Sequence, residues 1–284
     1  NIVRLANEVK VKGPVALRVN PDIKVNAHEK IATGSNDTKF GLPIKEAVEI
    51  YKKISNEKYI TTMGLAIHIG SQIFDMNEFK LAYENVLSIA NSLREEGMDV
   101  PNLDLGGGLG VDYQNASINF KDYGKTIREV FNTYDYKLSI EPGRSLVANS
   151  GVLVTKIIYI KNSERKNFLI VDGAMNDFIR PTLYNAHHNI EPLIKSKNKE
   201  VEYDVVGPIC ETGDYFIKDL KLNQPMEGQF LAIFSTGAYG SVMSSSYNSR
   251  PSAGELLVHN NKIHLLRKQE VIENQIQKEI LPDL

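Results

Sequence analysis

The sequence predicts a parallel α/β domain that is followed by an all-β domain. Two observations predict this fold class. In the first half of the chain, short apolar segments alternate four times with helical segments, which is typical of parallel strands joined by helical crossovers. After Arg144 the alternation stops, and β-rich segments are separated by turns. We therefore expect one domain over residues 1–145 and a second, β-rich domain over residues 146–284.

The first domain consists of four predicted strand and helix units. The strands are predicted at residues 15–20, 63–68, 103–105 and 138–140. The helical segments carry apolar residues at a spacing of three and four positions. The first begins at residue 44, and the other two span residues 79–93 and 123–131. Because eight units close an α/β barrel, these four form either an open sheet or the C-terminal half of a barrel.

The second domain is rich in β-branched and aromatic residues and has little helical periodicity before its tail. Strands are predicted at residues 152–160, 168–172, 201–206, 230–234 and 256–259. Turn residues separate these segments. A β-barrel or β-sandwich is therefore expected here.

Composition restricts the class of partner. The 284 residues are 42% hydrophobic and carry a formal net charge of −2, so the chain can bury a core and has no general attraction to nucleic acid or anionic membranes. The sequence contains one cysteine, which excludes an intrachain disulfide framework and suits a reducing compartment. It has no apolar stretch of about 20 residues. We expect a cytoplasmic protein with a small-molecule partner and no membrane association.

Two predicted strands of the first domain end in residues suited to chemistry. The last strand stops at Glu141, Pro142, Gly143 and Arg144, which places a carboxylate and a guanidinium where parallel α/β folds carry their sites. The strand before it is followed by Gly106, Gly107 and Gly108, and glycines let backbone amides approach a bulky anion. A strand-end ion pair would explain Glu141 equally well.

Further polar motifs follow other strands and turns. They are His68 with Ser71, Arg180 with Tyr184, Cys210 with Glu211, and Tyr239 between two glycines. Taken singly, each is typical of an ordinary structural residue. The adjacent pair His187 and His188 does not share a face and has no carboxylate or cysteine at ligand spacing, so no metal site is predicted.

In this order and spacing, the six motifs resemble those of the fold-type III pyridoxal phosphate-dependent decarboxylases, over residues 15–254. The resemblance implies an (α/β)8 barrel, a β domain, and a homodimer with active sites shared between subunits. The family's cofactor-bearing lysine lies in a Tyr-Ala-Val-Lys-Ala-Asn type motif on the first barrel strand, and the sequence contains no such motif. We therefore expect that these residues hold only the C-terminal half of the barrel and are inactive alone.

The resemblance assigns a role to each matched residue. It implies pyridoxal 5′-phosphate as cofactor, bound by His68, Ser71, Gly106, Gly107, Gly108, Glu141, Pro142, Gly143, Arg144 and Tyr239. Glu141 would hold the proton on the pyridine nitrogen, and His68 would pack on the ring face. Cys210 of the partner subunit would return a proton to the carbon that loses carbon dioxide. These three residues form the predicted catalytic set.

Substrate choice is argued from the distal end of the substrate. Arg144, Arg180, Tyr184, Glu211 and Tyr239 match substrate-binding positions. The arginines would bind a second carboxylate of the substrate, and Glu211 would bind a second ammonium group. This favours meso-2,6-diaminopimelate, which is decarboxylated to L-lysine in the last step of lysine biosynthesis.

Three expectations remain open beside this one. An ornithine or arginine decarboxylase of the same family is the alternative enzyme. A non-catalytic homologue is the alternative from another class of protein. At the interface, Lys39 of one subunit is expected to face Asp214 of the other.

Overall fold

The structure, a computed structural model, describes residues 1–23, 39–115, 117–277 and 279–282. The chain forms two compact units. The first comprises residues 1–112 and 117–146, and the second comprises residues 113–116 and 147–284. Each unit has its own core of buried apolar side chains. The roles predicted for the two domains stay predictions.

The first unit is built on a parallel sheet with the strand order β2-β1-β3-β4-β5. Its strands are β1 (Gly13–Asn20), β2 (Leu42–Pro43), β3 (Ile60–Ala66), β4 (Asn102–Asp104) and β5 (Lys137–Ser139). Its helices are α1 (Ile2–Val9), α2 (Ile44–Ser55), α3 (Met76–Glu95) and α4 (Phe120–Phe131), and α5 (Arg144–Val147) follows β5. The predicted order of strands and helices is confirmed. α1 was not predicted from the sequence, and its apolar side chains Ile2, Leu5 and Val9 are exposed.

Helix α3 shows why these residues fold as they do. The Asp75 carboxylate caps its first turn by accepting a hydrogen bond of 2.9 Å from the Asn77 amide. The helix buries Phe79, Ala82, Tyr83, Val86, Leu87, Ala90 and Leu93. Apart from Ala82, this face was predicted from the apolar spacing, and burying one such large side chain contributes roughly 1.5–3 kcal/mol. The helix, which connects β3 to β4 in the chain, is thereby packed against the core of the first unit.

The second unit contains a six-stranded sheet with the order β10-β9-β7-β6-β11-β8 and a separate hairpin. The sheet strands are β6 (Leu153–Asn162), β7 (Asn167–Val171), β8 (Ile190–Pro192), β9 (Glu200–Val206), β10 (Tyr215–Asn223) and β11 (Phe230–Ile233). The hairpin is β12 (Glu255–His259) with β13 (Lys262–Arg267), and the helices are α6 (Arg180–Tyr184) and α7 (Ile272–Ile276). Strands β8, β10 and β13 were not predicted, and in β10 exposed charged residues interrupt the apolar pattern.

Within the described residues, no helix is long and apolar enough to cross a membrane.

Candidate active site

Three predicted site residues lie in one row at the carboxyl edge of the parallel sheet. The last residues of β3, β4 and β5 are paired with one another in the sheet register. His68, Gly106 and Glu141 each lie two residues beyond them, just outside the strands. The Glu141 amide donates a hydrogen bond of 2.8 Å to the Gly106 carbonyl oxygen. Neighbouring strand ends are therefore fixed to each other by backbone.

The three glycines after β4 are required by close backbone packing. Gly106 and Gly108 have φ angles of 68° and 105°, which residues other than glycine rarely adopt. A Cβ atom at any of the three would overlap a carbonyl oxygen. The overlaps would be Gly106 with Ile67, Gly107 with Glu141, and Gly108 with Gly70. The glycines thus allow the strand ends to approach each other.

His68 is held as a neutral imidazole. Its Nδ1 atom accepts a hydrogen bond of 3.2 Å from the Gly107 amide, so the ring proton lies on Nε2. Burial lowers the pKa of His68, the charge of Arg18 lowers it further, and Asp104 opposes the shift. The Gly107 amide was predicted to hold a phosphate. That contact stays a prediction, and it would require the bond to His68 to be exchanged.

Ser71 and Arg144 are brought together from distant parts of the first unit. The Arg144 guanidinium donates to the Ser71 hydroxyl oxygen from Nη2 at 3.0 Å and from Nε at 3.3 Å. Arg144 is buried, and Ser71 is half-buried. A hydroxyl hydrogen beside a guanidinium is a donor set that suits a phosphate or carboxylate. The predicted motifs at positions 71 and 144 therefore form one local pair.

The remaining residues of the strand-end motif differ in how they are fixed. The Glu141 side chain is exposed, although its backbone is held by Gly106. Pro142 is half-buried and Gly143 is exposed. A Cβ atom at Gly143 would meet nothing within 4 Å, so packing does not require glycine at this position. The cofactor contacts predicted for Pro142 and Gly143 stay predictions.

In the second unit, Cys210 and Glu211 lie on the loop of residues 207–214, which joins β9 to β10. Asp214 organises this loop, which we call the cysteine loop. Its carboxylate accepts hydrogen bonds from the amides of Met175 at 2.7 Å and Ile209 at 2.8 Å. Burial raises the pKa of Asp214, and the two amides oppose that shift. Cys210 and Glu211 are exposed above this buried anchor.

Asp214 is only 3% exposed, and both of its carboxylate oxygens are used within its own unit. Each carboxylate oxygen can accept more than one hydrogen bond, so these two bonds do not decide whether Asp214 also pairs with Lys39 of a second subunit. The structure shows a role for Asp214 inside the cysteine loop, and its pair with Lys39 of a second subunit stays a prediction.

Glu211 borders a pocket of about 780 Å³ in the second unit. The pocket is lined by Met175, Asn176, Ile179, Glu211 and residues 245–249. The Tyr247 hydroxyl donates a hydrogen bond of 2.9 Å to the Glu211 carboxylate. This bond and the carboxylate charge raise the pKa of Tyr247. The carboxylate is thus oriented at the rim of a space that could receive a small ligand.

Arg180 begins helix α6 and is buried. Its Nη1 atom lies 2.8 Å from His188 Nε2, and its guanidinium lies 4.6 Å from the centroid of the Tyr113 ring. Tyr184, four residues later on the same helix, is half-buried. The predicted turn at residues 180–184 is therefore a helical turn that places both residues on one side.

Helix α6 and the cysteine loop are in direct contact. The Thr182 hydroxyl donates to the Gly213 carbonyl oxygen at 2.6 Å, and the Tyr215 hydroxyl donates to the Asn185 side chain at 2.9 Å. The structure thereby brings the two predicted pairs, at positions 180 and 184 and at positions 210 and 211, into one region of the second unit.

Tyr239 lies in a strained turn. Its φ angle is 57°, in the left-handed region that residues other than glycine rarely adopt. The glycines on either side are packed on backbone, because a Cβ atom at Gly237 would overlap the Val147 carbonyl and one at Gly240 would overlap that of Thr236. The side chain of Tyr239 is 42% exposed. The backbone of this turn is therefore closely packed on both sides of Tyr239.

Sequence reasoning missed three residues that support these side chains. They are Tyr113, His188 and Tyr247. Each contacts a predicted site residue that is distant in the chain or lies across a turn, so the contact could not be predicted from local spacing. His188 had been considered only as a metal ligand. Among the described residues there is no group of three or more His, Cys, Asp or Glu side chains that could hold a metal ion.

Residues 1–148 match the family model described as "Pyridoxal-dependent decarboxylase, pyridoxal binding domain". The diaminopimelate decarboxylase of Aquifex aeolicus is 41% identical over 268 residues, which are 94% of this chain and 64% of that protein. The enzyme of the same name from Pseudomonas aeruginosa is 44% identical over 271 residues, which are 95% of this chain and 65% of that protein. The chain thus spans about two thirds of the length of these relatives.

A solved structure gives the same result. The crystal structure of diaminopimelate decarboxylase from Helicobacter pylori complexed with L-lysine matches with a TM-score of 0.92 and 39% sequence identity. The match covers 98% of this chain and 70% of that one. The predicted fold class, strands and helices of an α/β barrel followed by an all-β domain, is confirmed.

Proposed function

This chain belongs to the pyridoxal-dependent decarboxylase family, and from that premise we propose that the whole protein decarboxylates meso-2,6-diaminopimelate to L-lysine and carbon dioxide. The observation that carries this proposal is the row of His68, Gly106 and Glu141 at the carboxyl edge of the sheet. The relatives of 41% and 44% identity, which carry the name of this activity, support the choice of substrate.

The residues of the first unit fit pyridoxal 5′-phosphate, the cofactor of this family. Ser71 and Arg144 supply a hydroxyl and a guanidinium for its phosphate. The glycines after β4 leave backbone rather than side chains at the edge of the sheet. When bound, the cofactor supplies an electron sink for the electron pair that remains on carbon when carbon dioxide leaves. Tyr239 is proposed to contact the phosphate from the second unit.

Glu141 and His68 have distinct proposed roles at the cofactor ring. Glu141 holds the proton on the ring nitrogen through a charge-assisted hydrogen bond, and its fixed backbone limits where its carboxylate can reach. His68 packs on the ring face. A neutral imidazole suits this role, because it does not repel the protonated ring as a cation would.

The second unit supplies the proposed substrate contacts. Cys210 is exposed, as a residue that donates a proton to the substrate carbon must be. Glu211 binds the distal ammonium group, and Arg180 and Tyr184 bind the distal carboxylate, to which Arg144 of the first unit also contributes. The contact between helix α6 and the cysteine loop supports a common task for Arg180 and Glu211.

We propose that the protein is a cytoplasmic homodimer and that Cys210 and Glu211 complete the active site of the partner subunit. We also propose that the 284 residues alone do not turn over substrate. Support for this comes from the sequence, which lacks the family's lysine motif, and from the relatives, which are about one and a half times as long.

Substrate preference tests the proposal. The full-length protein loaded with pyridoxal phosphate should decarboxylate meso-diaminopimelate with a higher kcat/KM than ornithine, arginine or lysine. The discrimination should be large, since a buried cation left without its carboxylate is costly. A higher kcat/KM for ornithine or arginine would replace this function by the alternative enzyme. No decarboxylation of any of them would favour the non-catalytic homologue.

Subunit mixing tests the shared site. Homodimers of Cys210→Ala and of Glu141→Gln should both be nearly inactive. After random exchange, activity should return to about a quarter of the wild-type value, because half of the dimers are mixed and one of their two sites is intact. Mixing two batches of Cys210→Ala is the matched control and should restore nothing. No recovery after confirmed exchange would contradict a site shared between subunits.

A further inference from the structure

His188 is fully buried and bonded on both sides of its ring. Its Nε2 atom lies 2.8 Å from Arg180 Nη1, and its Nδ1 atom lies 2.9 Å from the Phe234 carbonyl oxygen. A guanidinium can only donate, and a carbonyl oxygen can only accept. The imidazole must therefore accept at Nε2 and donate from Nδ1. His188 connects the arginine of α6 to the backbone at the end of β11.

Aromatic rings hold this pair in place. The His188 ring lies 4.5 Å from the Tyr113 ring and 4.6 Å from the Phe178 ring, with the latter in an edge-to-face arrangement. The guanidinium carbon of Arg180 also lies over the Tyr113 ring, 4.6 Å from the ring centroid. The guanidinium is thus held against the Tyr113 ring and is bonded at one nitrogen to His188.

The chain reversal after α6 creates this contact. The helix ends at Asn185, whose φ of 51° is left-handed, and the Asn185 amide donates to the Arg180 carbonyl oxygen. The chain then turns back, and the Phe234 amide donates to Asn189 at 2.9 Å. Position 188 is therefore held beside position 180 by backbone on both sides.

We propose that His188 is a positioning residue that fixes the guanidinium of Arg180 for the distal carboxylate of the substrate. This inference rests on the function proposed above. A long arginine side chain loses conformational freedom when it binds a carboxylate, and a guanidinium that is already held in place loses less. His188 acts through Arg180 and does not itself contact the substrate.

Binding of two related amines provides the test. L-lysine keeps the distal carboxylate of meso-diaminopimelate, whereas 1,5-diaminopentane has no carboxylate. In the full-length protein loaded with pyridoxal phosphate, His188→Asn should weaken L-lysine binding by about tenfold, because asparagine can still donate to Phe234 but does not reach Arg180. Binding of 1,5-diaminopentane should stay unchanged. The KM for meso-diaminopimelate should rise by a larger factor than kcat falls.

Three further variants separate positioning from folding. His188→Gln places an amide oxygen near the position of Nε2 and should restore L-lysine binding to within about threefold of wild type. His188→Phe keeps the flat ring between Tyr113 and Phe178 but lacks the acceptor, so it should also weaken L-lysine binding by about tenfold. This variant provides the test if His188→Asn does not fold. His187→Asn makes the same change at the exposed neighbouring position and should have no effect.

The outcomes distinguish this inference from the function on which it rests. If the wild-type protein bound L-lysine no better than 1,5-diaminopentane, the proposed function and the inference would fail together. If Arg180→Ala weakened L-lysine binding while His188→Phe and His188→Asn did not, only the inference would fail. Equal losses for both amines would also overturn it, since they would indicate a general structural defect.

Discussion

The strand-end row of the first unit and the cysteine loop region of the second are stabilised in different ways. In the row, His68, Gly106 and Glu141 are placed by strand register, and glycines allow the backbones to touch. In the cysteine loop region, side chains fix the backbone, as Asp214 shows by accepting two amides. A side chain added between the backbones of the row should therefore be strongly destabilising, whereas the loss of one side-chain hydrogen bond in the cysteine loop should have a graded effect.

The largest effect is expected at Glu141, whose backbone the row fixes and whose carboxylate stays exposed. Glu141→Gln should lower kcat about 10²–10⁴-fold, because a neutral amide does not hold the proton on the cofactor ring. Thermal unfolding should be close to wild type. Steady-state kinetics and a melting curve measure both. Glu129→Gln, which alters a surface pair with Lys125, is the control. Unchanged turnover in Glu141→Gln would remove Glu141 from the mechanism.

The next largest effect is expected from a methyl group in the row. Gly107→Ala would place a Cβ atom against the Glu141 carbonyl oxygen, so the strand ends must separate, and the free energy of unfolding should fall by more than about 2 kcal/mol. Gly124→Ala is the matched control. Gly124 lies inside α4 with nothing within 4 Å, and alanine there should stabilise by roughly 0.5–1 kcal/mol. Equal effects in denaturant titrations would contradict the close packing of the row.

The same contrast explains how far the sequence could be interpreted. The strands can be recognised from local sequence patterns. Apolar runs that end before Gly106 and Glu141 therefore predicted both the strands and the residues at their ends. The order of the six motifs along the chain then indicated the resemblance to the decarboxylase family. The short strand β2 was missed, since two residues carry no periodicity.

Side-chain support could not be predicted in this way. Tyr113 and Arg180 are 67 positions apart in the numbering of the chain, and their contact depends on the fold of the second unit. Likewise, the burial of Asp214 and the hydrogen bond that it accepts from the Met175 amide depend on how the second unit folds. Contacts of this kind depend on tertiary packing rather than on local spacing.

A graded effect is expected at Asp214. Asp214→Asn replaces one acceptor by an NH₂ group that faces a backbone amide, which should cost roughly 1–3 kcal/mol of stability. The cysteine loop should loosen, and hydrogen exchange at the Ile209 amide should become faster. Asp219→Asn removes an exposed carboxylate paired with Lys166 and should cost less than about 1 kcal/mol. Slow exchange at Ile209 in the Asp214 variant would contradict this anchoring role.

The smallest effect concerns the pH dependence of stability, and it comes from the row. Burial lowers the pKa of His68 below its ordinary value of 6.5. As pH falls below about 6.5, the unfolded chain binds a proton that the folded chain does not bind, so stability decreases, by at most about 1.4 kcal/mol per pH unit. Above that pH the contribution is complete and the slope vanishes. His68→Gln should therefore unfold with a shallower pH dependence between pH 6.5 and 5, while the slopes of the two proteins agree near pH 8. An NMR titration of the His68 ring with a midpoint at or above 6.5 would contradict this, and it would mean that the ring is more open to water than the bond from Gly107 implies.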